Sequence, residues 1–283
     1  MRVSKSMRQR HEEMFYPTVR VRTKKAGGSG TVVYSKKYND NVYTYVITNH
    51  HVIAENIKVK KKWNPVLKKK IDTEILDTVS VEFFKYNNYS HNIGSFAVEA
   101  DIVAYSEYDG GQDWALLRTR DRENTYDYVA NIFPLGEIGN IHIFDKCFAV
   151  GASLGHPPIA TEGHICYMDD EIDHYKYWMS TAQTIFGNSG GSVYRWSKPR
   201  KQYEYIGIPS RISVQPMGFS ADAITHMGYF IPIDRIYKLL DSNDYQFIYD
   251  ESQDLKKCES RRKKTQTGLK HDDDDNESQD EIF

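Results

Sequence analysis

The amino-acid sequence predicts an all-β protein with a short C-terminal helix and a charged tail. Short runs rich in valine, isoleucine and tyrosine, such as Tyr16–Arg22 and Val42–Val52, show the composition and alternation of half-buried strands. Between the runs stand turn signals, Gly27-Gly28-Ser29-Gly30, Asn39-Asp40-Asn41 and Asp109-Gly110-Gly111. Aromatic residues make up 13% of the chain, 21 of them tyrosines, which suits pleated, half-buried surfaces. Only Asp234–Leu240 has clear helical spacing, with Asp234 placed to cap its N-terminus.

Bulk properties exclude several function classes. At 283 residues the chain can bury one large β domain or two small ones. A formal net charge of −2 gives no global electrostatic footprint for nucleic acid. Cys147, Cys166 and Cys258 are odd in number, widely spaced and form no Cys-x-x-Cys, which argues against a metal or redox framework. No segment approaches the ~20 apolar residues of a membrane-spanning helix. The basic start Met1-Arg2-Val3-Ser4-Lys5 is not followed by an apolar leader, so a cytoplasmic setting is expected. His11-Glu12-Glu13-Met14 lacks the second histidine of a zinc helix, and no metal or cofactor is expected.

The chemistry gathers at three places. Phe186-Gly187-Asn188-Ser189-Gly190-Gly191-Ser192 sets a serine among glycines, where several backbone N–H groups can converge on a developing oxyanion. A serine hydroxyl needs a base within hydrogen-bond reach, and the base needs an orienting group. Val46-Ile47-Thr48-Asn49-His50-His51-Val52 offers two histidines, and Asp113-Trp114-Ala115-Leu116-Leu117 offers an acid at the mouth of an apolar strand. His51 and Asp113 lie 62 residues apart, and Asp113 and Ser189 lie 76 apart. In motif, order and spacing the chain resembles the chymotrypsin/trypsin-like serine peptidases over about Tyr16–Leu240. With Asn188 before the serine, it is most similar to the Deg (high-temperature-requirement) type, here without a PDZ domain.

The resemblance implies two six-stranded antiparallel Greek-key barrels packed together. Barrel one would span about 15–125, barrel two about 130–232 and a helix 234–241, within a peptidase domain of 15–245. It also implies His51 as base, Asp113 as its orienting acid, Ser189 as nucleophile, and the amides of Gly187 and Ser189 as oxyanion hole. The implied activity is endopeptidase hydrolysis through an acyl-enzyme, with a protein or peptide as substrate. A catalytically silent binding module on the same fold is the alternative.

In chain order, residues 1–14 form a charged extension. No N-terminal activation site is evident, so activity without N-terminal cleavage is expected. Tyr16–Arg22 begins the strands, and the run to Val52 ends on the histidines. If both remain extended, His50 and His51 face opposite ways and only one can meet Ser189. The motif picks His51. Lys58–Lys70 reads as a solvated insertion after the histidine, or as a basic patch for an anionic partner, with Trp63 among its lysines. Asp101 rivals Asp113 but lacks the Ala-Leu-Leu continuation. Thr119–Asn131 connects the barrels. Phe148–Gly155 matches the strand that, in Deg-type relatives, precedes a Gly-x-Pro turn.

Substrate selection is read from four positions. The resemblance puts Gln183 at the base of the first specificity pocket, with no acid to pair a basic side chain. This implies an uncharged, small or apolar residue at the cleaved position. Ser210 and Arg211 lie on the strand that pairs with substrate in relatives, and Arg211 would instead favour acidic residues. His226 either lines the pocket or packs within its strand. Beyond about Tyr249 the charge blocks and scarcity of apolar residues predict a disordered tail, 246–283.

Overall fold

The computed structural model describes residues 5–64, 68–106, 111–217 and 220–275. Asp109-Gly110 of the expected turn before Asp113 therefore lies outside the described residues.

Helix α1 (Lys5–Arg10) widens into a π-helical turn over His11–Phe15. This charged extension is tied to the strands on either side. Gln9 Nε2 donates to Lys201 O (2.7 Å) and the Tyr203 N–H to Glu13 Oε2 (2.7 Å), while His11 Nε2 meets Ser90 Oγ (2.8 Å). Strands β1 (Thr18–Arg22), β2 (Gly27–Tyr38) and β3 (Asn41–Thr48) follow, then a helical turn α2 (His50–Ile53). A hairpin of β4 (Ile57–Asn64) and β5 (Lys69–Leu76) precedes β6 (Val79–Asn87), β7 (His91–Tyr105) and β8 (Ala115–Thr119). The second half contributes β9 (Lys146–Gly151), β10 (Ile159–Ile172), β11 (Tyr175–Ser180), β12 (Ser192–Ser197), β13 (Gln202–Met217) and β14 (Ser220–Pro232).

Two closed six-stranded barrels result, in the orders β1-β2-β3-β8-β7-β6 and β10-β11-β14-β13-β12-β9. The paired strands of both barrels run antiparallel, and the first barrel closes where Arg20 on β1 faces Glu82 on β6. Alternation explains the local structure. Along β1, Val19 and Val21 are fully buried beside Val32, Val46, Val81 and Leu117, while Arg20 and Arg22 point away from that cluster. Burying each such valine contributes on the order of 1.5–3 kcal/mol. The β2–β3 hairpin turns at Asn39 and Asp40, both at positive φ (44° and 60°), as the twist of a two-residue hairpin demands. The three cysteines are free, and burial pushes the Cys147 thiol up to about 12.

Three expectations change. The lysine-rich insertion is a hairpin, β4 paired with β5 outside both barrels. His50 and His51 are not extended, because the strand ends at Thr48 and the chain turns helically at once.

The third change concerns the tail. The chain packs as two units that divide after Ile233. In the second, helix α3 (Ile233–Ser242) runs on from β14, and a 3-10 turn over Gln246–Ile248 leads to helix α4 (Leu255–Asp275). The disordered tail expected from 246 is thus corrected: the described part is mostly helical. Phe247, Ile248, Leu255 and Cys258 are buried, Tyr237 packs edge-on to Tyr249 (4.5 Å), and the Arg262 guanidinium lies over Tyr245 (4.0 Å). Charge composition hid these spaced apolar residues and the arginines that find ring and carboxylate partners.

Candidate active site

Strand register brings the first two candidate residues together. Thr48 on β3 pairs with Ala115 on β8, so the residues just past one strand and just before the other are neighbours. His51 Nδ1 meets Asp113 Oδ2 at 2.8 Å and Oδ1 at 3.0 Å, and the His51 backbone N–H donates to Oδ1 (3.0 Å). A carboxylate only accepts, so Nδ1 carries a proton, and in the neutral ring Nε2 is the nitrogen with the lone pair. The helical turn α2 separates the two histidines: the His51 side chain is 45% exposed, whereas His50 is buried against the Tyr105 ring (5.6 Å).

Asp113 itself sits at positive φ (47°), a conformation Asp tolerates better than most residues. Its carbonyl accepts from Asn49 Nδ2 (2.6 Å), and its Oδ2 from the Ser210 hydroxyl (2.5 Å). The preceding residues are clasped from the second barrel. Tyr177 Oη donates to Gly111 O (2.8 Å) and Gln112 Nε2 to Tyr175 Oη (2.8 Å). Asp101, the rival acid, pairs with Arg120 (2.8 Å) instead.

Ser189 lies in the loop between β11 and β12, and its hydroxyl donates to Ser210 O (3.4 Å). Ser210 therefore touches both ends of the constellation, its carbonyl at Ser189 and its hydroxyl at Asp113. Two features shape the loop. Gly187 and Gly190 stand at φ +96° and +85°, where L side chains are strained. A Cβ on Gly190 would collide with Ser29 O and Thr48 Oγ1, so only glycine fits. Asn188 is buried, its Oδ1 accepting from Ser153 Oγ (2.5 Å) and the Ile185 N–H (3.2 Å).

The amide geometry follows from one bond. Phe186 O accepts from the Leu154 N–H (2.8 Å). In a trans peptide the carbonyl and the next N–H point opposite ways, so Gly187 N–H faces away from Leu154. Among the described residues, neither the Gly187 nor the Ser189 N–H has a protein acceptor. The arrangement leaves both of these amides as open donors on the serine loop.

A family model described as a trypsin-like peptidase domain matches residues 28–198, more than half of the chain. This chain belongs to the trypsin-like peptidase family. Among solved structures, it is similar to a serine-to-alanine variant of the HtrA-type protease AlgW with a tripeptide (19% identity, TM-score 0.56). That match covers 89% of this chain and 65% of the other. A serine endoprotease from Yersinia pestis aligns at 20% identity and TM-score 0.52, over 85% and 67% of the two chains. Deg5 aligns at 17% and 0.51, over 83% and 94%. At these identities the likeness speaks for the fold, and this chain spans about two thirds of the first two neighbours. No curated protein matches the sequence significantly.

Within this trypsin-like chain the four expected pocket residues differ in exposure, and Ser210 is buried. Gln183 and His226 are exposed. Arg211 is paired with Asp173 (3.2 Å) and lies over the Tyr177 ring (5.6 Å). Ser210 turns its hydroxyl to Asp113. Within the loop, Thr184 is buried with no hydrogen-bond partner for its Oγ1 among the described residues.

Sequence reasoning missed Ser29. It is fully buried on β2, donates from Oγ to Gly187 O (2.6 Å), accepts there from the Ala152 N–H (2.7 Å), and gives its own N–H to Ser189 O (2.8 Å). The run Gly27-Gly28-Ser29-Gly30 was the signal, but the expectation of a turn there is corrected: it is the start of β2, paired with β1, where glycines suit close approach.

Proposed function

We propose that this chain is a serine endopeptidase acting through an acyl-enzyme. The observation that carries the reading is the contact chain His51–Asp113–Ser210–Ser189, with Nδ1 of an exposed imidazole committed to a carboxylate and Nε2 left open. Ser189 Oγ attacks the scissile carbonyl while His51 Nε2 takes its proton, and that proton later passes to the leaving amine as the C–N bond breaks. Water then hydrolyses the ester with His51 again as base. Asp113 holds the tautomer and stabilises the imidazolium. The Gly187 and Ser189 amides receive the oxyanion, where one comparable donor is worth on the order of 10²–10³ in rate. Attack requires the hydroxyl to leave the Ser210 carbonyl for the imidazole.

The substrate in this reading is a protein or peptide with an uncharged residue at the cleaved position, since Gln183 brings no acid and Arg211 is already matched by Asp173. The hairpin β4–β5 is read as the place for an anionic partner: Lys60 and Lys62 recur at strand spacing and Trp63 is 62% exposed. One observation favours the silent-module alternative, the resting contact of Ser189 with Ser210 rather than His51.

A fluorophosphonate probe and a peptide-library cleavage assay decide. Wild-type protein is expected to label and cleave. Ser189→Ala and His51→Ala each lower kcat by about 10⁴ or more, while His50→Ala keeps most activity. A folded wild type that neither labels nor cleaves makes the chain a silent module, and equal loss in all three variants sinks the assignment of His51.

A further inference from the structure

We infer that Arg20 is a positioning residue for the oxyanion site, tying barrel one to the loop that orients Gly187 N–H. The consequence for rate rests on the peptidase reading, whereas the tie itself does not.

Arg20 projects from the outer face of β1, yet its side chain is only 12% exposed. Its Nε and Nη2 both engage Glu82 Oε2, at 2.8 and 2.6 Å. Glu82 is buried on the neighbouring strand and also accepts from Ser95 Oγ (2.5 Å) and pairs with Arg22 Nε (3.2 Å). Burial alone would raise its carboxyl, but the Ser95 hydroxyl and the Arg20 and Arg22 guanidinium groups outweigh burial and hold it below the usual range. Glu82 is thus an anion at neutral pH, a fixed anchor for the planar guanidinium. With Nε and Nη2 committed, the direction of Nη1 is set. It donates to Gly155 O, on the second barrel.

Gly155 closes the short turn Ser153–Gly155, in which Leu154 and Gly155 are successively at positive φ (52° and 76°). Leucine does not adopt that conformation freely, and its side chain, 63% exposed, is not packed into place. Hydrogen bonds hold the turn instead. Gly155 N–H reaches Ala152 O (3.2 Å), Leu154 N–H reaches Phe186 O (2.8 Å), and Arg20 holds the Gly155 carbonyl. Without Arg20 the far end of the turn loses its tie to the first barrel, and only the Ala152 N–H on Ser29 Oγ (2.7 Å), at its near end, remains of the two. Leu154 N–H then leaves Phe186 O, and the Phe186–Gly187 peptide is free to rotate its N–H out of place. Stability alone is a weak reason for such a partly buried ion pair, since apolar replacements of buried pairs are often neutral or better.

The test compares Arg20→Ala with Arg20→Lys, whose single ammonium can neutralise Glu82 but cannot supply the fork that also reaches Gly155. Both variants are expected to lose about tenfold or more in kcat, with KM within about twofold and the fluorophosphonate rate falling in step. Hydrogen exchange of the Leu154 amide is expected to speed up about tenfold in each folded variant. Arg20→Lys carries the test if Arg20→Ala does not fold. Full kcat, a loss confined to KM, or an unchanged Leu154 amide in folded Arg20→Lys overturns the inference. If wild-type protein proves hydrolytically silent, the peptidase reading fails and the exchange measurement decides on Arg20 alone.

Discussion

In barrel one the candidate acid and base sit directly beside paired strand ends, His51 just past β3 and Asp113 just before β8, so the β3–β8 register sets their separation. In barrel two the candidate nucleophile rides on a loop between β11 and β12 that has no strand ladder of its own. That loop is braced from the other barrel. Ser29 engages Gly187 O and Ser189 O, and Gly190 lies against Ser29 and Thr48. Ladder hydrogen bonds are cooperative and many, whereas a brace of a few side-chain bonds can be lost one residue at a time. The lesson is that docking of the two barrels governs the serine and its amides far more than it governs the imidazole–carboxylate pair.

Gly190→Ala tests this division hardest. Its Cβ would press on the Ser29 carbonyl while φ stays positive, so the loop must move. Activity is expected to fall about 10³-fold and stability by about 2 kcal/mol, read by peptide hydrolysis and by denaturant unfolding. The His51 ring resonances should hardly shift in that variant, because the strand register around them is untouched. A displaced imidazole signal would break the comparison. Ser29→Ala comes next. It removes one donor and one acceptor and leaves Gly187 O and the Ala152 N–H without their partner, a cost of about 1–3 kcal/mol. A kcat loss of about 10–100-fold is expected, with KM nearly constant.

The same division explains what was legible in the sequence. The strands and the His51–Asp113 pairing could be read because period-2 alternation and short motifs report on strands and their ends. Asn39-Asp40 could be read because a two-residue hairpin turn demands residues that accept positive φ. The braces could not. Arg20 and Arg22 look alike in an alternating strand, and only the closing of the barrel opposite Glu82 sets one of them against Gly155. Ser210 was legible as a residue on the strand after the serine, but the direction of its hydroxyl depends on a turn at Asp113 that no local pattern encodes. The tail was misjudged for a related reason: average charge is a property of composition, while burial of Leu255 and Cys258 depends on their spacing.

The acid also has contacts with barrel two, so the asymmetry has a limit that can be measured. Tyr177 Oη on Gly111 O is such a contact, and Tyr177→Phe removes it with almost no change of shape. Asp113 would keep four polar partners, the His51 backbone and ring and the Asn49 amide from barrel one and the Ser210 hydroxyl from barrel two. One hydrogen bond among several is worth about 1 kcal/mol, so kcat should drop by no more than about threefold and unfolding should shift by about that energy. A tenfold loss in kcat with unchanged KM would mean that barrel two steers the carboxylate as firmly as barrel one steers the serine. The contrast between ladder and brace would then have to be replaced by mutual bracing across the whole seam.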